Sequence, residues 1–263
     1  MPDAVSRFSG FAAEYDSARP QPPADLVALI SQWSGASAPD VVDVGAGTGL
    51  STMIWAGRAR QVTAVEPSSD MRAIAQRKAD AAAATSTRFV VAAGTAERTG
   101  LPDACADIVT ASQAMHWFDG SRALPEIVRV LRPGGVFAAY DCDWPPCIDW
   151  ETDAAYAAFD AAVGRLEAEH GLLPPHAGKR HRDTMTASGL FRHVTEVAVH
   201  GCEEGDAQRL TAVAMTKGGA VALLSAGLTE DEIGLTALRE VAARRLPQPR
   251  TWWWTYRVRL GVK

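Results

Sequence analysis

The chain has no stretch of 18 apolar residues, and no apolar run behind an N-terminal positive cluster. The first lack excludes a membrane-spanning helix, and the second predicts that no secretory leader is present. Together they predict a soluble, cytoplasmic protein with no membrane partner. Positive charge is also in short supply. The 26 Lys and Arg residues are outnumbered by 31 Asp and Glu, for a formal net charge of −5. That balance argues against a general nucleic-acid surface, so no nucleic-acid partner is expected. The four cysteines (Cys105, Cys142, Cys147 and Cys202) lack metal-ligand spacing, so reduced thiols and no metal are expected.

What is present is enough apolar material for a sizeable core: 47% hydrophobic and 22% charged over 263 residues. That length suits one large α/β domain, or one with insertions. Short apolar runs alternate with helical patterns. Strands are predicted at 40–44, 61–66, 88–92, 107–111 and 136–140. Helices are predicted at 23–34, 50–58, 69–83, 119–131, 151–170, 207–217, 218–226 and 229–246, the fourth ending in a turn at Arg132-Pro133-Gly134-Gly135. This alternation is the pattern of an open, mainly parallel sheet, which binds ligands at the carboxyl ends of its strands.

The most informative run is Val41-Val42-Asp43-Val44-Gly45-Ala46-Gly47-Thr48-Gly49. A buried strand that breaks into glycines lets a ligand approach the backbone, because no Cβ stands in the way. A dinucleotide fingerprint would need glycine at position 50, where Leu50 stands. The next strand ends in Glu66, an acid roughly 20 positions after the loop and so placed to accept hydrogen bonds from ribose hydroxyls.

The Asp43-x-Gly45-x-Gly47-x-Gly49 spacing resembles motif I of the class I S-adenosylmethionine-dependent methyltransferases. Four further segments are similar to that family: Glu66-Pro67-Ser68-Ser69-Asp70-Met71, Gly94-Thr95-Ala96-Glu97, Leu101-Pro102-Asp103, and Gln113-Ala114-Met115-His116-Trp117-Phe118-Asp119. The last resembles the small-molecule branch that includes trans-aconitate methyltransferase-like "type 11" proteins. Phe8, Phe11, Tyr15 and Arg19-Pro20 resemble the family's opening arm, although Gln21 and Pro22 interrupt its end.

The resemblance implies a Rossmann-like, doubly wound, seven-stranded, mainly parallel α/β sheet with α-helical cap insertions. It implies S-adenosyl-L-methionine as cofactor and S-adenosyl-L-homocysteine as product. The residues expected at the cofactor are Asp43, Gly45, Ala46, Gly47, Gly49, Glu66, Pro67, Met71, Thr95, Ala96, Glu97 and Gln113. Tyr15 and Arg19 are expected to join them from the arm. His116 is the candidate catalytic base, since imidazole accepts a proton near neutral pH. Trp117, Trp144 and Trp150 are the candidate substrate contacts.

Beyond residue 141 only the topology continues to match. The whole chain is read as a single domain over 1–263, with 1–22 as an arm over the cofactor and 142–186 and 207–249 as cap insertions. His176, Lys179, Arg180, His181 and Arg182 form a basic cluster, expected to be a solvated face that can also steer an acidic substrate. On the last strand, alternation puts Trp252, Trp254 and Tyr256 on one face and Trp253 on the other.

The expected function is methyl transfer to a small-molecule acceptor, at an oxygen of a carboxylate or hydroxyl, by a monomer or homodimer. The alternatives are a fold relative that binds the cofactor for another reaction, or a non-catalytic binding protein. Nucleobase amino groups are disfavoured, because the Asn/Asp-Pro-Pro-Tyr run that such enzymes carry is missing.

Overall fold

The computed structural model describes residues 12–172 and 180–263. Phe8, Phe11, His176 and Lys179, singled out above, lie outside the described residues. The strands are β1 (Asp40–Val44), β2 (Gln61–Val65), β3 (Arg88–Ala92), β4 (Ala106–Ser112), β5 (Leu131–Cys142), β6 (His193–Gly205) and β7 (Arg250–Val262). The first five helices are α1 (Ala12–Ala18), α2 (Ala24–Ser34), α3 (Leu50–Met53), α4 (Ser69–Ala81) and α5 (Gly120–Val130). They are followed by α6 (Trp150–Glu169), α7 (His181–Ala187), α8 (Ala207–Met215), α9 (Gly218–Ser225) and α10 (Leu235–Arg245).

The chain divides into two compact units. One comprises Gln21–Cys142, His176–Val199 and Tyr256–Lys263; the other comprises Met1–Pro20, Asp143–Pro175 and His200–Thr255. These bounds differ from the insertions expected at 142–186 and 207–249. Helix α7 groups with the sheet because Met185 is fully buried in the core around Val109, Phe137 and Ala139. The far ends of β6 and β7 group with the helices.

The sheet runs in the order β3-β2-β1-β4-β5-β7-β6. Strands β1 to β5 are parallel, and β7 returns antiparallel to β5, pairing Val136 with Val262 and Cys142 with Tyr256. All five residues of β1 are buried, as befits a central parallel strand covered on both faces. Asp119 caps α5 by accepting the Ser121 N–H, and the helix buries Ala123, Leu124, Ile127 and Val130.

Three expectations change. Strand β5 starts at Leu131, directly after α5, with no intervening turn. Arg132 to Gly135 form an irregularity where the β4–β5 register jumps from Ala106↔Leu131 to Ile108↔Val136. The helix expected over 50–58 shortens to α3, ahead of Gly57 at φ +73°. The helix expected over 229–246 begins only at Leu235, because Gly234 takes a left-handed conformation, φ +79°.

In the helical unit α10 packs on α6 and α8. Asp149 caps α6 through the Glu151 and Thr152 N–H groups, and the Tyr156, Phe159 and Val163 stripe is buried. The alternation on β7 is as expected: Trp252, Trp254 and Tyr256 are buried while Trp253 is 57% exposed. Among the described residues no helix is long and apolar enough to cross a membrane.

Candidate cofactor and acceptor site

The sheet order reverses between β1 and β4, the place where open α/β sheets bind ligands at the carboxyl ends of their strands. The glycine loop leaves β1 there, and the Gln113–Trp117 segment leaves β4 beside it. The two touch. A Cβ on Gly45 (φ +65°) would stand 2.8 Å from the Ala114 Cβ and 3.3 Å from the Phe118 ring. Gly47 is different. Its φ is +57°, and a Cβ there would meet nothing within 4 Å, so bare backbone borders open space.

Asp43 stands behind this loop, fully buried. Its Oδ1 accepts from the Thr110 hydroxyl at 2.6 Å and its Oδ2 from Thr52 at 2.8 Å, with Ser51 at 3.4 Å. Burial pushes its carboxyl up to about 6, against the pull of the three hydroxyl donors. Asp43 was expected to touch the cofactor. With 0% exposure and its oxygens taken by three hydroxyls, its place is to pin the loop and α3 to β4.

Glu66 closes the other side. Its Oε2 accepts the Gly47 N–H at 2.9 Å and its Oε1 the Ser68 N–H at 2.8 Å. Each carboxylate oxygen keeps lone-pair capacity for a further donor. Burial raises its pKa, partly offset by the two backbone donors and by Arg72. Arg72 in turn holds the Glu66 and Pro67 carbonyls at 2.8 and 2.6 Å. Met71 is buried on the first turn of α4, and Ala46 is buried in the loop.

After β3, Thr95 and Arg98 exchange backbone hydrogen bonds across a tight turn. That turn exposes Thr95, buries Ala96, and sends the Glu97 carboxylate to the Asp119 N–H at 3.0 Å. The segment that follows is anchored from α5. Glu126 Oε1 accepts the Thr99 N–H and hydroxyl at 2.9 and 2.6 Å, and Arg129 donates to the Leu101 carbonyl at 2.8 Å. These contacts hold the Glu126 carboxyl down at about 2, with the Arg129 hydrogen bond the largest cause.

At the end of β4, Gln113 adopts φ +53°, a strained value for a residue with a side chain. Its Nε2 donates to the Cys142 sulfur at 2.7 Å. His116 follows in a 3-10 turn, 24% exposed, with Trp117 tilted against it at 5.1 Å.

Sequence reasoning missed the partners of His116. Its Nδ1 faces Asp141 Oδ1 at 3.8 Å, while His181 Nε2 lies 3.2 Å from Asp141 Oδ2. Donor atoms of all three lie within 4.8 Å of one another, a convergence that linear spacing does not display. Arg259 donates to the same Asp141 Oδ2 at 2.9 Å. His181, expected on a solvated face, is 3% exposed.

Tyr15, Arg19, Trp144 and Trp150 belong to the helical unit. The Arg19 guanidinium lies over the rings of Tyr15 and Trp144, at 4.7 and 4.8 Å, and donates to the Thr216 carbonyl at 2.8 Å. Trp144 also stacks on Tyr156, at 6.2 Å and 15°, and meets Trp254 edge-on. Trp150, the first residue of α6, is 77% exposed.

Residues 42–139 match the family described as "Methyltransferase domain". An uncharacterized methyltransferase of Mycobacterium tuberculosis is 38% identical over 128 residues, covering 49% of each chain. A malonyl-[acyl-carrier protein] O-methyltransferase of Pectobacterium atrosepticum is 38% identical over 114 residues, 43% of this chain and 41% of that one. The solved structure of a candidate type II methyltransferase from Anaeromyxobacter dehalogenans superposes with a TM-score of 0.65 at 27% identity. It covers 93% of this chain and 97% of its own.

These similarities liken residues 42–139, which carry the switch-point loop, to methyltransferase domains on a Rossmann-like sheet. The chain spans about half the length of the curated relatives it matches.

Proposed function

We propose that the protein transfers a methyl group from S-adenosylmethionine to an oxygen of a small-molecule acceptor, a carboxylate or a hydroxyl. The observation that carries this reading is the Glu66–Gly47 hydrogen bond. It ties the acid at the end of β2 to bare loop backbone beside the switch point. The residues fit the cofactor, since open space borders Gly47 and a buried carboxylate with spare acceptor capacity stands next to it.

In this reading Gly45, Ala46, Gly47 and Gly49 take the methionine and ribose side, and Glu66 takes the ribose hydroxyls. Pro67 and Met71 pack beside it. Thr95, Ala96 and Glu97 border the adenine, and Gln113 borders the methionine portion. Trp117 is assigned to the acceptor.

When bound, S-adenosylmethionine supplies a methyl carbon already activated by its sulfonium. The residues of this chain then have to orient the acceptor, exclude water and manage one proton. Orientation alone can lower a barrier by roughly 7–11 kcal/mol. A carboxylate acceptor needs no base, whereas a hydroxyl gives up its proton, and His116 is the residue assigned to receive it. The oxygen preference is supported by the O-methyltransferase names of relatives that match this part of the chain.

The test has two stages. Calorimetry with S-adenosylmethionine and S-adenosylhomocysteine measures binding. Methyl-labelled cofactor, mixed with fractionated small-molecule extract, then reports transfer. Label recovered in a base-labile ester or a stable ether supports an oxygen acceptor. Tight binding with no transfer to any fraction would move the protein to the non-transferring alternative.

A further inference from the structure

Asp141 ends a network that none of the motif positions contains. Its Oδ2 accepts from Arg259 Nη1 of β7 at 2.9 Å, and His181 Nε2 of α7 lies 3.2 Å from it, an ion-pair distance but not a hydrogen bond. Arg259 is itself fixed. Its Nε donates to Glu196 on β6 at 2.7 Å, and Arg257 approaches the same glutamate at 3.9 Å. Asp141, His181 and Arg259 are all nearly sealed from solvent, at 2–3% exposure. A carboxylate clamped at one oxygen cannot swing, so the direction of its other oxygen is set. Oδ1 faces His116 Nδ1 at 3.8 Å.

We propose that Asp141 is the positioning residue for His116: clamped by Arg259, it holds the imidazole proton on Nδ1, so that Nε2 is the nitrogen able to take the acceptor's proton. The inference rests on the reading of His116 as the proton acceptor. Which nitrogen of a histidine carries the proton is set by what the other nitrogen faces, and a carboxylate at Nδ1 fixes the proton there. The 3.8 Å separation is longer than a hydrogen bond, as catalytic contacts often are before substrate binds. His116 is 24% exposed and sits on a one-turn 3-10 segment, so its ring has room to close that distance. His181, stacked parallel to His116 with ring centres 6.4 Å apart, turns its own Nε2 to the carboxylate. When Nε2 takes a proton from an acceptor hydroxyl, the O–H bond breaks and an N–H bond forms. The resulting imidazolium charge then lies beside Oδ1.

The test is nitrogen NMR of the full chain labelled with ¹⁵N-histidine, in mildly alkaline buffer, where tautomers are read from the two ring-nitrogen shifts. No acceptor is needed. His116 is expected with its proton on Nδ1, in roughly tenfold or greater excess. In Asp141→Asn that excess should fall toward the free-histidine ratio. Circular dichroism confirms that the variant is folded. A wild-type His116 protonated on Nε2 overturns the proposal even if the variant does not fold. So does an unchanged ratio in the folded variant. Titration of the same samples with S-adenosylmethionine keeps the two readings separate, because failure to bind the cofactor would sink the functional reading and leave the tautomer result standing.

Discussion

Thr110 on β4 donates its hydroxyl to Asp43 on β1 at 2.6 Å, joining the two strands that flank the switch point by a side-chain bond inside the sheet core. The bond is bought with a desolvated carboxylate, and that has a signature in pH. Asp43 titrates near 6 in the folded protein against 3.8 unfolded. A raised carboxyl stabilises the fold fully below the unfolded value, and that contribution is lost as pH rises through the folded one. The native protein should therefore lose about 3 kcal/mol from this group between pH 4 and pH 7. Urea unfolding across that range should show the decline in the native chain and a flatter profile in Asp43→Asn.

The opposite sign is expected at Glu126, whose carboxyl is held at about 2 against an ordinary 4.5. Its contribution is present above 4.5 and is lost as pH falls toward 2. With Arg129 partly in water, roughly 1–2 kcal/mol is at stake. Glu126→Gln should unfold more readily at neutral pH and approach the native chain in acid. Proteolysis of the 95–103 segment, which Glu126 and Arg129 anchor, should accelerate in parallel.

Glu66→Ala removes the acceptor for the Gly47 N–H and for the proposed ribose hydroxyls. Loss of one hydrogen bond to a charged group costs roughly 1.5–3 kcal/mol, so affinity for S-adenosylmethionine should fall by roughly 10- to 100-fold. Gly47→Val should do at least as much, because φ +57° is a conformation that a β-branched residue resists. Calorimetry that returns native affinity for both variants would remove the loop from the site.

His116→Ala separates binding from chemistry. With a hydroxyl acceptor, turnover should drop by roughly 10²-fold or more while cofactor affinity stays close to native. With a carboxylate acceptor, the change should appear mainly in KM. Steady-state kinetics alongside cofactor titration discriminates these from full native activity, which would leave the histidine a packing residue.

Local sequence carried the first half of this molecule well. Strands β1 and β3 occupy the predicted residues because each is a short apolar run that gives way to a glycine turn. The glycine loop and Glu66 were legible for the same reason: they are short-range features of a strand end. The cluster at Asp141 was not. Its members come from β5, α7 and β7, and no spacing in one segment announces contacts made across the fold. His181 was read from its basic neighbours as a surface residue, whereas packing of α7 on the sheet buries it. The start of β5 was misplaced because Pro133 and two glycines read as a turn, while the β4 ladder tolerates them as a register slip. The division into two units was hidden because both are assembled from separated stretches of chain.

That interleaving has a consequence for synthesis. A nascent chain that has reached Cys142 can pair β1 to β5 in parallel, but the strand that covers the open side of β5 begins pairing at Tyr256, far later in the chain. Until β7 arrives, β5 presents a row of unsatisfied amides and carbonyls flanked by Val136, Phe137 and Tyr140, an invitation to pair with a neighbouring chain. Expression yield should therefore depend on chaperone supply and growth temperature. Fragments cut before residue 250 should accumulate as aggregates, even though they hold every residue of the glycine loop.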